Sequence, residues 1–255
     1  MDSDKLRQFA SLASRYAEAA YEDEKEFADM VRPDSEDDVS YINITKDGLD
    51  VQAYVHHRHR VRQTIVAVRG SESNKWDDWV KNISFRSRPI RPRRGRAHRG
   101  FYAEAEALGY RLISGGLLDH NDGKPYEIIL TGHSKGGSIC TVLQHIFKIR
   151  AVCHTFGECR SLNGRAARLF ARDHREHYRW VNTVDPVPKL LWWCYRHVGH
   201  LIYLDRKGRW NYGYVRWWDR LVTRIRNPLG GIPRHSMSRY RALVTGAYLS
   251  DEHNS

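Results

Sequence analysis

The residues best placed to do chemistry lie in one short segment, Glu127-Ile-Ile-Leu-Thr-Gly132-His133-Ser134-Lys135-Gly136-Gly137. A compact apolar run leads into G-x-S-x-G. Ile139, Val142, Leu143, Ile146 and Phe147 then recur at helical spacing. The pattern predicts a buried strand, a turn of one residue and an amphipathic helix. Such a turn lifts a serine hydroxyl above the end of a sheet, with a helix N-terminus beneath it. Small residues at Gly132 and Gly136 let neighbouring backbone approach, and the Lys135 amide would face a developing oxyanion. A bare G-x-S-x-G also occurs by chance as a glycine-rich turn. Here the strand before it and the helix after it supply the context that the motif demands. The segment is no phosphate loop, because the G-K-[ST] order is missing.

A serine hydroxyl is a weak nucleophile at neutral pH and needs a histidine base, itself oriented by a carboxylate. In a strand–elbow–helix architecture the acid and then the histidine follow the serine in the chain. Tyr178 to Val184 reads as a core strand, and Asp185-Pro186-Val187-Pro188 stops it abruptly. This places Asp185 at a strand's C-terminal end, where open α/β sheets bind ligands. A turn-capping aspartate is the competing reading. Among the later histidines, His197 and His200 lie at the start of the next strand. His235 follows that strand in a loop before the last helix. It is the preferred base, with His197 as the alternative.

These residues need a scaffold, and the periodicities supply one. Residues 4 to 20 and the Phe101, Ala105, Leu108, Leu112 stripe read as helices, and so do 166 to 171, 214 to 225 and 236 to 249. Val51 to Val55, Thr64 to Val68, Glu127 to Leu130, Ala151 to Phe156, Tyr178 to Val184 and His200 to Leu204 read as strands, and an acidic stretch runs over Glu22 to Asp38. Strands alternating with helices imply a mainly parallel sheet with helices on both faces, and the unbroken alternation predicts a single domain over 1–255.

The formal charge of +12 favours anionic partners. No nucleic-acid module with interleaved aromatics is present, so a nucleic-acid partner is not expected. Arg86 to Arg99 holds seven arginines, and a face of Tyr214, Trp218, Leu221, Val222 and Ile225 is crowded by arginines. Both suit an anionic membrane surface, and equally a solvated loop and a core-facing helix. Cys140, Cys153, Cys159 and Cys194 match no zinc or redox spacing and read as reduced thiols. A metal site at His56, His57 and His59 is disfavoured, since adjacent strand residues point to opposite faces and no acidic partner is near in sequence. The polar start Met1-Asp2-Ser3-Asp4-Lys5 has no apolar core after it, and the longest apolar run, Leu190 to Tyr195, cannot span a bilayer. The expected location is cytoplasmic, or outside the cell by export without a cleaved signal.

Taken in order, several segments resemble the class 3 (fungal-type) lipases of the α/β-hydrolase superfamily. They are Val68-Arg69-Gly70-Ser71 with Trp76-Asp77-Asp78-Trp79, then His98 to Tyr102, Thr131 to Gly137 and Thr155-Phe156-Gly157 with Arg160. Val181-Asn182 with Asp185 to Pro188, Tyr195 to Gly199 and His235 to Tyr240 complete the series. The resemblance implies a triad of Ser134, Asp185 and His235, and an oxyanion hole in which Ser71 joins the Lys135 amide. It also implies a helical lid over Glu72 to Ile83, where Trp76, Trp79, Val80 and Ile83 fall at helical spacing. Two positions depart from the family pattern. Lys135 stands where leucine is common, which would make the site more positive, and Cys159 replaces a proline.

The expected activity is hydrolysis of lipid esters, triacylglycerol or related glycerides, through an acyl-enzyme, with no metal or organic cofactor. A phospholipase A acting on anionic membranes, an acyltransferase or thioesterase with the same triad, and a non-catalytic binder of anionic surfaces are the alternatives.

Overall fold

A computed structural model describes residues 3–71, 85–92, 94–118, 125–205, 208–213 and 235–246. An eight-stranded sheet organises them. Its strands are β1 (Asp38–Ile44), β2 (Val51–Arg58), β3 (Gln63–Val68), β6 (Glu127–His133), β7 (Val152–Phe156), β8 (His177–Asn182), β9 (His200–Leu204) and β10 (Trp210–Tyr212), in that spatial order. The five from β3 to β9 run parallel, and β1, β2 and β10 are antiparallel to their neighbours. A separate ribbon pairs β4 (Ser87–Pro89) with β5 (Arg96–His98).

The central strands are apolar on successive residues because both faces of the sheet are covered. Val66 and Val68 of β3 join one core with Leu130, Phe101, Leu108, Ile139, Leu143 and Phe170. That face carries α3 (Arg99–Ser114), α4 (Lys135–Phe147) and α5 (Gly164–Asp173). Ile65 and Ala67 join the other core with Ile129, Phe156 and Trp180, under α1 (Ser3–Ala19), α2 (Glu24–Val31) and α6 (Met237–Thr245). This is the α/β-hydrolase fold, a mainly parallel sheet with helices on both faces.

One boundary read from the sequence is revised, and a stretch left without elements gains two. The acidic stretch after Glu22 carries α2 and leads into β1. Asp23 caps α2 by accepting the Glu26 amide at 2.9 Å, and Asp38 opens an edge strand. The strand before Asp185 ends at Asn182, whose side chain and carbonyl take over the amides of Val184 and Asp185. The proposed lid residues Trp76, Trp79, Val80 and Ile83 and the arginine-rich helix at 214–225 lie outside the described residues. Among the described residues no helix is long and apolar enough to cross a membrane.

Candidate active site

One residue, Ser134, separates β6 from α4. Its backbone sits at φ 56°, ψ −123°, a conformation that side-chain-bearing residues rarely adopt. The Ser134 amide donates to the Phe156 carbonyl at 2.9 Å, which holds the elbow against the end of β7. Gly136 is required here, because a Cβ at that position would fall on the Val68 carbonyl. The Ser134 side chain is buried, and its Oγ makes no hydrogen bond to the described groups. As the first residue of α4, Lys135 has an amide outside the helix's own ladder.

The Lys135 side chain corrects an expectation. Its ammonium donates to the Asp50 carbonyl and to Glu104 Oε1 at 3.1 Å, with both side chains close to buried. The extra charge is therefore neutralised by α3 and does not make the site more positive. Burial raises the Glu104 carboxyl above its ordinary value, and the Lys135 charge opposes that rise. Ser71 lies at the end of the chain leaving β3, just after Gly70, which packs against the His133 carbonyl. Ser71, Gly70, Arg69 and Lys135 line a cavity of about 300 Å³ with Glu104 and Asp50. The cavity flanks the elbow. Its lining is charged and does not include Ser134, which argues against its being an acyl-chain pocket.

Asp185 follows β8 and is buried. His235 Nδ1 lies 2.7 Å from its Oδ2, across fifty residues of sequence. The Tyr240 hydroxyl donates to the same oxygen at 2.6 Å, and the Val187 amide donates to Oδ1 at 2.8 Å. Three donors offset the cost of burying this carboxylate. Tyr240 Oη in turn accepts the Asn182 amide at 3.1 Å, tying α6 to the end of β8. His235 immediately precedes Ser236, the cap of α6, whose hydroxyl accepts the Arg239 amide. The imidazole packs against His133, the residue before the elbow serine, with ring centroids 4.4 Å apart. Burial, and then the charge of His235, hold His133 well below the usual histidine range. Tyr21 Oη lies 2.8 Å from His133 Nδ1.

The structure thus joins Asp185 to His235, packs that imidazole against His133 next to Ser134 in the chain, and lines one cavity with Lys135 and Ser71. It does not bring His197 to that pair. That ring lies 2.7 Å from the Pro188 carbonyl and 3.8 Å from Glu158 Oε1, beneath the loop that carries Asp185. Nor are His56 and His59 without acids, as the sequence suggested. Pairing of β1 with β2 sets Asp37 3.0 Å from His56 and Asp38 2.9 Å from His59. His57 bonds Thr64 instead, and among the described residues no group of three metal-ligating side chains converges. Cys140, Cys153 and Cys159 are buried free thiols.

Tyr240, Gly157, Tyr21 and Glu104 escaped the sequence reading. Gly157 had a local signal, since it ends β7 in the Phe156-Gly157 turn. Its φ is +61°, and a Cβ there would stand 2.7 Å from Asp185 Oδ2 and 3.0 Å from His235 Cε1.

Known proteins resemble this chain in sequence and in fold. The lipase (class 3) family pattern matches residues 65–193, which is 129 of 255 residues. A secreted mono- and diacylglycerol lipase of Fusarium solani is 27% identical over 167 residues, 63% of this chain and 49% of that protein. The match therefore spans about half the length of that relative. Among solved structures, the Lip2 lipase of Yarrowia lipolytica superposes with a TM-score of 0.62 at 20% identity, covering 81% of both chains. A triacylglycerol lipase described as having a serine-protease triad at its catalytic centre superposes with a TM-score of 0.67 at 17% identity, covering 83% of this chain and 84% of that one. At these identities the structures speak to the fold. The family pattern covers half the chain and runs from β3 through the elbow and the acid loop, and the chain belongs to the class 3 lipase family.

Proposed function

We propose that this protein hydrolyses carboxylic ester bonds of lipids, glycerides foremost, through an acyl-enzyme on Ser134. The observation that carries the reading is the 2.7 Å bond between His235 and a buried Asp185, formed beside a serine in a strand–helix elbow. In this mechanism His235 takes the Ser134 proton as the hydroxyl attacks the ester carbonyl. Asp185 holds the imidazole tautomer and balances its positive charge. The Lys135 amide and Ser71 stabilise the oxyanion, each donor being worth about 3 kcal/mol in comparable sites. His235 then returns its proton to the leaving alcohol and activates the water that releases the acid. The chemistry calls for no metal or organic cofactor. The single-domain reading over 1–255 belongs to the same proposal.

Hydrolysis of p-nitrophenyl esters and of mono-, di- and triacylglycerol emulsions, with Ser134→Ala alongside, tests it. Turnover should vanish in the variant and should extend to long-chain glycerides. Equal turnover by both proteins would overturn the role of Ser134, and none by either on any ester would favour a non-catalytic binder of anionic surfaces.

A further inference from the structure

The loop that supplies Asp185 continues into Lys189-Leu190-Leu191-Trp192-Trp193-Cys194-Tyr195-Arg196. Leu191 adopts a left-handed backbone at φ 60° and sends its side chain into the core. The turn throws Trp192 and Trp193 outward, 64% and 53% exposed. Phe85 joins them at 52% exposure, its ring centroid 5.0 Å from that of Trp193, while Trp192 and Trp193 lie edge to face at 5.6 Å. The projection is well held. The amides of Cys194 and Tyr195 donate to the Leu191 carbonyl, Arg196 donates to the Trp192 carbonyl, and the Tyr195 hydroxyl donates to the carbonyls of Phe85 and Arg86. Three large aromatics presented together to water are costly unless something covers them.

The charge around them says what that is. Segment 85–99 holds seven arginines and no acidic residue, and segment 186–200 adds Lys189 and Arg196, again with no acidic residue. The two segments are neighbours, because Leu162 bridges Ala97 on one side and Arg196 on the other. Arg88 is paired with Glu106 and Arg94 with Asp173, whereas Arg91 and Arg99 are exposed at the two ends of the ribbon. Tryptophan prefers the boundary between headgroups and acyl chains, and arginines beside it are drawn to anionic headgroups.

We infer that Phe85, Trp192 and Trp193, with the exposed Arg91 and Arg99 of the neighbouring segment, form a docking knuckle for an anionic lipid bilayer. The surface lies on the loop that supplies Asp185, seven residues beyond it. The inference rests on the proposed lipid-ester activity only for its purpose, since the knuckle's binding does not require turnover.

The test therefore uses Ser134→Ala protein, which leaves vesicles intact, and measures co-sedimentation with phosphatidylcholine vesicles, with and without phosphatidylserine. Binding is expected to the mixed vesicles and to weaken with added salt. Trp192→Ser/Trp193→Ser should weaken it by about a hundredfold, at roughly tenfold per buried aromatic. Arg91→Gln/Arg99→Gln should weaken it severalfold on the mixed vesicles alone. With Ser134 restored, both double variants should hydrolyse a soluble short-chain ester as the parent does and melt at the parent temperature. Binding that survives loss of both tryptophans, equal binding to neutral vesicles, or a dimer that the tryptophan variant dissociates without any vesicle binding would each overturn the inference. A failure of the ester assay alone would count against the proposed activity and leave the knuckle standing.

Discussion

Gly157 offers a sharp test of the site, because it bears no functional group and touches both partners of the acid–base pair. In Gly157→Ala the new Cβ meets two separate costs. The first is the backbone, held at φ +61°, where a side chain costs about 1 kcal/mol relative to glycine. The second is contact. Ordinary contact begins near 3.4 Å, and the Cβ would stand 2.7 Å from Asp185 Oδ2, so the carboxylate must withdraw by about 0.7 Å. The His235 ring, with Cε1 at 3.0 Å, must withdraw as well. Neither can move freely, since Asp185 is fixed by Val187 and Tyr240 and His235 is fixed by the start of α6. A misplacement of this size in a proton-transfer pair costs about a hundredfold in rate. The assay is kcat/KM on p-nitrophenyl esters with a urea melt of the same preparation. Gly164→Ala serves as control, because its Cβ would make only an ordinary 3.7 Å contact, with Arg168. The expectation is a folded Gly157→Ala protein with kcat/KM near one per cent of the parent. A folded variant with parental kcat/KM would show that the Asp185–His235 pair is not the acting one.

Three further outcomes follow from the same contacts. Tyr240→Phe deletes the 2.6 Å donor to Asp185 and strands the Asn182 amide, so urea melts should show a loss of about 2 kcal/mol and ester assays a roughly tenfold fall in kcat/KM. Lys135→Met leaves Glu104 buried without its cation, at a cost of about 3 kcal/mol at pH 8. The cost should shrink toward pH 5 as Glu104, already raised by burial, takes a proton, and a loss independent of pH would refute the pairing. Burial holds His154 and His177 at about 3, so both stay neutral in the folded chain while the unfolded chain protonates near 6.5. Their contribution is present above pH 6.5 and falls away below it, by about 2 kcal/mol each at pH 5. Glu158, raised by burial to about 7, acts in the opposite sense, its contribution being lost as pH rises through 7. Glu158→Gln should therefore steepen the fall in urea midpoint between pH 7 and 5.

What could be read from the sequence was local. The elbow announced itself because strand, serine turn and helix are contiguous from Glu127 to Phe147. Asp185 stood out because two prolines follow it. The helical boundaries of α1 and α3 came within a residue or two of the periodicity, each helix having one buried face. Strand β1 stayed hidden because it is an edge strand in which only Ile42 is buried, so no alternation marks it. With β1 hidden, its pairing of Asp37 and Asp38 with the histidines of β2 was hidden too. Tyr240, Tyr21 and Glu104 reach their partners over separations of 31 to 112 residues, and no spacing rule connects such positions.

The helices outside the matched family segment are also part of the site. His133 sits 4.4 Å from His235, and a charge on both rings would oppose the imidazolium that the proposed mechanism needs. Burial keeps His133 neutral, and Tyr21, at the end of α1, supplies the polar partner that makes such burial tolerable. Helix α1 is locked to this role. Thr131 of β6 donates to the Ala13 carbonyl at 3.0 Å, and Arg241 of α6 reaches Glu18 at 2.6 Å. The same α6 carries Tyr240 to Asp185, and its start fixes His235. The N-terminal and C-terminal helices therefore clamp the elbow from one side of the sheet and keep His133 uncharged beside His235. A chain trimmed to residues 65–193 would keep Ser134 and Asp185 and lose both His235, the proposed base, and the Tyr21 partner of His133.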